Sequence, residues 1–270
     1  MPSYPPVWSI SVSDPLAVIA RLPGVPEAVE TARQAVDRLY RHRVLRRASP
    51  AVSTESSLRG ARASAALEGV DVPLDKLRGD EVHDPVVQGA LRASAELGRL
   101  GPTWRKAPRQ VLARLHTVAA AGLADQEALG RPRTADSAPD PLDLGLAPSA
   151  QETSVRMESL FKLLDGASKA PALVLAAITH AELAVLRPFG TADGLVARAA
   201  ERLTLVEYGL DPKSLVAVEV GHLELPYAEG LRAYLSGTPE GVAQWIQQCA
   251  SAVSLGVREA VAICEALQRG

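Results

Sequence analysis

The apolar residues of this chain recur with the period of an α-helix along most of its length. In the segment 107–122, Val111, Leu112, Leu115 and Val118 fall on one helical face. Alternating apolar and polar positions, which would indicate half-buried strands, are scarce, and no internal repeat is present. The pattern therefore predicts an all-α domain. The predicted helices cover residues 26–47, 53–68, 84–100, 107–122, 149–164, 171–186, 191–208, 226–236 and 239–267.

Local signals place several boundaries of these predicted helices. Pro26 suits the first turn of a helix, because its missing N–H would have no partner there. Ser53 or Thr54 is suited to cap the start of the second helix. Gly69 is a typical helix-ending residue, so the second helix is predicted to stop there.

The segment 171–186 is apolar on nearly all sides, which indicates a helix at the centre of the fold. A short turn at residues 187–190 leads into the next helix, and Thr191 is predicted to be its N-cap. This order places backbone N–H groups at a helix start near the protein's centre, which is a ready anion site. His180, beside Glu182 in the central segment, is interpreted as a core histidine with a hydrogen-bond partner.

Two segments lack helical periodicity. Residues 1–25 contain five prolines and are predicted to form an irregular N-terminal arm. Residues 130–149 contain four more, together with several Asp and Gly. Irregular stretches of that length inside a compact domain are often functional, although a plain surface loop is an equal alternative.

Composition and charge narrow the class of protein. The 270 residues are 47% hydrophobic and 22% charged, which excludes a disordered or collagen-like chain. The formal net charge of −2 argues against nucleic acid as a partner, although an arginine cluster leaves a nucleic-acid or acidic partner as an alternative. No apolar run is long enough for a membrane span and no signal peptide is recognisable, so a cytoplasmic protein without a membrane partner is expected. The cluster consists of Arg38, Arg41, Arg43, Arg46 and Arg47.

Several common motifs are absent. The chain has no dinucleotide fingerprint, phosphate loop or Gly-x-Ser-x-Gly elbow. None of its five histidines pairs with another at metal-ligand spacing, so no metal site is predicted. Cys249 and Cys264 fall in one predicted helix and would lie ~22 Å apart, too far for a disulfide. Both cysteines are expected to be reduced and buried.

The residues around the central turn carry the most information. The stretch Arg187–Arg198 resembles the signature His-Pro-Phe-x-Asp/Glu-Gly-Asn-Gly-Arg-x-x-Arg of the Fic (Fido) family. The residues that match it at the expected spacing are Pro188, Phe189, Gly194 and Arg198. Upstream, Ser64–Gly69 is similar to the family's inhibitory-helix pattern, and residues 129–133 resemble the segment that leads into its target-docking flap. Downstream, residues 227–234 and Trp245 are similar to its closing helices.

The resemblance implies a Fic-like helical bundle with a central buried helix–turn–helix motif and a short irregular or β-hairpin flap. It divides the chain into the arm 1–25, N-terminal helices at 26–80 that include the inhibitory-like helix, and a core at 81–270. Family members typically move AMP from ATP onto a protein hydroxyl. Their chemistry implies a His base, an acid that holds Mg²⁺, a Gly-Asn-Gly phosphate cradle and a pair of Arg.

Four of these chemical positions hold other residues here. Arg187 stands at the base, and a guanidinium with a pKa above 12 has no lone pair to take a proton. Thr191 stands at the metal-binding acid, where a neutral hydroxyl is a poor anchor for a hard dication. Asp193 replaces the Asn of the cradle and would repel a polyphosphate. Leu195 replaces the first Arg and removes a bidentate phosphate clamp.

The sequence therefore predicts a degenerate Fic-like protein that lacks AMP transfer and acts as a binding or regulatory module. The inhibitory-like Glu68 is expected to pair with Arg198, beside Ser64. A residual pocket at Arg187, Phe189, Gly194 and Arg198 would accept a small anion or a protein partner's side chain. The alternative is a divergent nucleotide-dependent transferase, and only that hypothesis calls for ATP with Mg²⁺ as cofactor. Formation of a homo-oligomer is left open.

Overall fold

The structure of the chain, a computed structural model, describes residues 14–166 and 168–269. These residues form twelve α-helices and one short 3-10 helix and no β-sheet, which confirms the predicted all-α class. None of the helices in the described ranges combines the length and the apolar character needed to cross a membrane. The α-helices are α1 (Pro15–Ile19), α2 (Val25–Tyr40), α3 (Leu45–Leu67), α4 (Leu74–Arg78), α5 (Pro85–Trp104), α6 (Pro108–Ala119), α7 (Ala150–Asp165), α8 (Ala172–Leu186), α9 (Asp193–Glu207), α10 (Val218–Glu224), α11 (Tyr227–Leu235) and α12 (Pro239–Arg269), and the 3-10 helix is Gln126–Ala128.

Helix α8 lies at the centre of the bundle, as its apolar sequence predicts. Every residue from Leu173 to Leu186 is buried. Helix α9 packs along α8 and also against α5, while the long helix α12 contacts α2, α8, α10 and α11. The turn between α8 and α9 is therefore enclosed by the bundle, and any site built on it is set on rigid elements.

Two glycines allow helices to approach each other closely. A Cβ atom at Gly89 of α5 would overlap the carbonyl oxygen of Ala119 in α6. A Cβ atom at Gly221 of α10 would likewise overlap the carbonyl oxygen of Ala252 in α12. An interior with few aromatic residues achieves dense packing in this way, by bringing backbones together rather than filling space with large side chains.

The boundary between the first two predicted helices is wrong. The helix predicted at 26–47 ends at Tyr40, and the next one begins at Leu45 with Val44 as its N-cap, so that Ser53 and Thr54 both lie inside α3 and neither is its N-cap. Helix α3 bends at Ala48, whose φ of −116° and ψ of 17° are not helical, and Pro50 follows two residues later. Proline is tolerated there because the first turn after a kink needs no N–H donor.

Three short helices were not predicted. Helix α1 forms within the expected irregular arm, where the Asp14 carboxylate accepts the N–H of Ala17 and caps the helix start. Residues 1–13 of that arm lie outside the described residues. Helices α4 and α10 have only five and seven residues, too few to show a helical period in the sequence. Cys249 and Cys264 are unpaired and buried in α12, as expected.

Candidate functional site

The turn between α8 and α9 holds the backbone in the left-handed region at three places. Arg187 has φ +48°, Gly190 φ +74° and Ala192 φ +54°. Helix α9 begins at Asp193 with Ala192 as its N-cap, so the prediction that Thr191 is the cap is wrong. A non-glycine residue in this region is uncommon, and two within six residues mark a turn that its surroundings hold in place.

Asp193 folds its carboxylate back onto this turn. Its Oδ1 accepts the backbone N–H of Phe189 at 2.9 Å, and only 8% of the residue is exposed. Burial raises the pKa of the Asp193 carboxyl to about 7, although the N–H groups of Phe189 and Gly190 oppose that rise. An internal carboxylate thus occupies turn amides that a bound anion would otherwise use.

The Arg187 side chain points away from that turn toward the irregular segment of the chain. Its Nη1 donates to the carbonyl of Pro139 at 3.1 Å and its Nη2 to that of Gly145 at 2.7 Å. The guanidinium also forms an ion pair with Asp140 at 3.2 Å, and its side chain is only 6% exposed. Among the described residues, the Arg187 Nε has no hydrogen-bond partner.

The segment that resembles the start of the flap lies directly against the turn. Arg133 donates its backbone N–H to the carbonyl of Pro188 at 2.8 Å and its Nε–H to that of Arg187 at 2.9 Å. His116 of α6 stacks on Phe189 with ring centroids 4.2 Å apart, and its Nδ1 accepts the N–H of Gly130. Burial lowers the pKa of His116 to about 4, so the ring is neutral at physiological pH and can accept this bond. The flap segment is irregular, not a hairpin.

Arg198 joins α9 to α3. Its Nη2 donates to Glu68 at 2.6 Å and to the Ser64 carbonyl at 3.0 Å, while its Nε donates to the Ser64 hydroxyl at 2.8 Å. The expected pair of Glu68 and Arg198 is therefore formed. Gly194 lies beside it, and a Cβ atom there would overlap the Glu68 carboxylate. With its side chain fully buried, Arg198 is committed to these partners and to the Tyr227 hydroxyl.

A second buried arginine, one turn further along α9, was missed by sequence reasoning. Arg202 donates to the hydroxyls of Ser214 at 2.9 Å and Ser56 at 3.1 Å, and it contacts Glu219 at 3.4 Å. The available signal is the spacing: Arg198 and Arg202 are four residues apart on one helix, so they share one face. Together the two arginines hold α3 along its length.

The structure brings two histidines to one carboxylate, which linear spacing did not reveal. Glu201 Oε2 lies 2.7 Å from His180 Nδ1 and 2.8 Å from His222 Nε2, all three residues being buried. Burial alone would raise the pKa of Glu201, but the two imidazoles outweigh it and lower the pKa to about 2. The side-chain N and O atoms of His180, Glu201 and His222 lie within 4.8 Å of one another, a spacing that could hold a metal ion. Here hydrogen bonds join the two imidazoles to the carboxylate. His180 is a core histidine as predicted, and its partners are Glu201 and Tyr227.

Glu182, the other titratable residue of α8, is also bound within the core. Its carboxylate accepts from Arg156 and from the Tyr234 hydroxyl, both at 2.6 Å, and the residue has no exposed surface. Burial raises the pKa of Glu182. A cavity lies beside the turn between α8 and α9, and neither Glu182 nor His180 lines it.

That cavity has a volume of about 370 Å³. The residues from Gly190 to Leu195 form one wall, Pro139–Leu144 contributes another, and Glu68 lies between. Leu195 is itself 2% exposed and packs beside Gly89. Phe189 lines a neighbouring cavity of about 390 Å³ instead, and Arg198 lines neither.

A buried central helix, a tight turn and a second buried helix in this arrangement define a Fic-like bundle. No protein-family model matches the sequence, and neither does any curated protein. Among solved structures, a Fic family protein from Desulfovibrio desulfuricans G20 is similar at a TM-score of 0.74 and 20% identity, with 96% of this chain and 77% of that one covered. Fic-1 from C. elegans is similar at a TM-score of 0.68 and 17% identity, with 89% and 73% covered. The chain has the Fic fold, as the motif resemblance implied.

Proposed function

We propose that this Fic-fold chain does not transfer AMP and that it serves as a binding or regulatory module. The observation that carries the proposal is that an arginine, Arg187, stands at the position of the base and that its side chain is bound within the protein. The resemblance places the catalytic base at this position, and a guanidinium there has no lone pair with which to accept a proton. Its Nη groups are bound to the carbonyls of Pro139 and Gly145 and to Asp140.

The neighbouring residues support the same conclusion for ATP and Mg²⁺. The Asp193 carboxylate accepts the Phe189 N–H, and Glu68 and Asp140 add further carboxylates to the cavity wall. A polyphosphate would have to displace one carboxylate and lie near the other two. Leu195, where the resemblance places a phosphate clamp, offers no polar group. The residues present do not fit a magnesium–nucleotide complex.

The way in which α3 is held favours a permanent, rather than a releasable, role for the inhibitory-like helix. Arg198 binds its C-terminal part through Ser64 and Glu68, and Arg202 binds its middle through Ser56. Removing one side of a buried ion pair strands the other charge and costs about 3–5 kcal/mol. A helix fixed in this manner suits a rigid scaffold that presents a surface to a protein partner. The small-anion alternative is weaker, because both expected arginines already have internal partners.

The competing hypothesis is a divergent nucleotide-dependent transferase. The observation in its favour is the cavity of about 370 Å³ beside the central turn. A transfer assay separates the two. The purified protein is incubated with labelled ATP and Mg²⁺, and covalent label on the chain or on added protein is measured. We expect none from the wild type and none from Glu68→Gly, in which the inhibitory-like carboxylate is absent. Label incorporated by either protein would contradict the proposal.

The matched control restores the chemistry that the resemblance implies. It combines Arg187→His, Thr191→Asp, Asp193→Asn and Leu195→Arg with Glu68→Gly. We expect self-labelling from this variant above the wild-type background, since loss of a positioned base alone reduces a rate by about 10²–10⁴. Label from the restored variant but not from Glu68→Gly would assign the loss of activity to these four positions.

A further inference from the structure

The segment 139–145, here called the strap, covers one side of the cavity beside the central turn. It contains no helix or strand. The Asp140 carboxylate accepts the N–H groups of Leu144 at 2.9 Å and Gly145 at 2.7 Å, which folds the strap into a closed turn. Leu142 and Leu144 pack against the core and line the cavity. The strap is thus folded on itself, and its contacts with the bundle include these two leucines and the side chains of Arg187 and Arg232.

Arg187 holds both ends of the strap. One Nη donates to the carbonyl of Pro139, the other donates to the carbonyl of Gly145, and the charge pairs with Asp140. Because the Arg187 side chain is 94% buried, water competes little for these contacts. Hydrogen bonds from a charged donor are roughly twice as strong as neutral ones.

A guanidinium suits this arrangement better than the side chain of histidine or lysine. Its planar fork presents several N–H donors at fixed angles, so it can bind two carbonyls and a carboxylate together. A neutral histidine has a single N–H donor and could hold only one end of the strap. A lysine keeps the charge but lacks the rigid fork.

We propose that Arg187 is a latch that keeps the strap closed over the cavity. At the position where the resemblance places a catalytic base, the side chain controls physical access to the cavity instead. The strap occupies the hydrogen-bond donors of Arg187, and its lifting would open the cavity more widely to ligands or partner side chains. This inference concerns access and does not depend on whether a nucleotide binds.

A second arginine contacts the strap from outside and provides a matched control. Arg232 of α11 donates to the carbonyls of Leu142 at 3.0 Å and Asp143 at 3.2 Å. Its side chain is 45% exposed, so its contacts compete with water. Ion pairs and hydrogen bonds at such exposed sites contribute little.

Hydrogen exchange at the strap tests the latch. In Arg187→Met we expect the peptide covering residues 139–147 to exchange at least about tenfold faster than in wild type, while peptides from α8 remain protected. Arg187→Lys should give an intermediate rate and is less disruptive if the methionine variant folds poorly. Arg232→Met should change the rate by less than about twofold. Equal effects of the two methionine substitutions, or no effect of either Arg187 substitution, would overturn the proposal.

Reagent access to the cavity gives a second readout. Ala184 of α8 lines the cavity and is 5% exposed, and the native cysteines are buried. We expect a neutral maleimide to modify Ala184→Cys slowly, and to modify it about tenfold faster when Arg187→Met is added. Equal labelling rates in the two backgrounds would show that the strap does not control access. Neither outcome depends on nucleotide binding, so the latch and the proposed function can fail separately.

Discussion

At the scale of single residues, three of the four replaced positions of the central turn have internal contacts. Arg187 binds the strap, Asp193 accepts the Phe189 N–H, and Leu195 joins the core. The sequence predicted what these residues cannot do, because that follows from side-chain chemistry alone. It did not predict what they contact, since Pro139 lies 48 residues from Arg187 and no local pattern connects them.

The raised pKa of the Asp193 carboxyl makes the free energy of unfolding depend on pH. Its pKa is raised to about 7 from an ordinary value of 3.8, so the folded protein binds a proton more tightly than the unfolded chain. The contribution of this carboxyl to the stability of the wild-type protein therefore falls as the pH rises from 3.8 to about 7. Asn at position 193 has no proton to lose and can still accept the Phe189 N–H. We expect the stability of Asp193→Asn relative to wild type to be greater at pH 8.0 than at pH 5.5 by about 2 kcal/mol, at about 1.4 kcal/mol per pKa unit.

Urea unfolding of both proteins at the two pH values measures this difference. Asp80→Asn is a suitable control, because Asp80 is exposed and Asn tolerates its left-handed backbone. That control should stay within about 0.5 kcal/mol of wild type at either pH. A relative stability of Asp193→Asn that does not change with pH would contradict a buried carboxyl with a raised pKa.

At the scale of helices, long elements with a clear pattern were predictable and short or kinked ones were not. Helix α8 could be identified from its continuous apolar sequence, and Gly69, with φ +91°, follows the end of α3 as expected. The predicted start of α3 was wrong because the kink at Ala48 allows a proline, Pro50, to lie inside a continuous helix. Helix α10 has seven residues, and its place depends on close packing against α12.

Two glycines of α5 should respond to the same substitution in opposite directions. At Gly89 a Cβ atom would overlap the carbonyl oxygen of Ala119, so Gly89→Ala forces α5 and α6 apart and should cost about 2 kcal/mol or more. A Cβ atom at Gly98 would have open space, with no atom within 4 Å in the described part of the chain beyond its own helix backbone and adjacent residues, so Gly98→Ala gains helix propensity and should stabilise by about 0.5–1 kcal/mol. Chemical denaturation measures both values. Equal effects at the two positions would contradict the close contact between α5 and α6.

At the scale of the whole molecule, the fold was far more predictable from sequence than the site. Helical periodicity and the matches at Pro188, Phe189, Gly194 and Arg198 were sufficient for an all-α, Fic-like bundle. The pair of Arg198 with Glu68 was also expected, because the resemblance supplied both positions. Contacts specific to this chain could not be found in that way. The meeting of His180 and His222 at Glu201 depends on how three helices pack, which local sequence does not encode.

The most direct test of the central claim, that the cavity does not accept a nucleotide, is thermal unfolding with and without millimolar ATP and Mg²⁺. Wild type and Glu68→Gly are compared, because an active site blocked only by Glu68 would bind once that carboxylate is removed. A ligand at 100 times its Kd adds about 2.7 kcal/mol of stability, which raises Tm by about 5 °C or more in a protein of this size. We predict that neither protein shows a shift. A Mg²⁺-dependent rise of that size in either one would contradict the account.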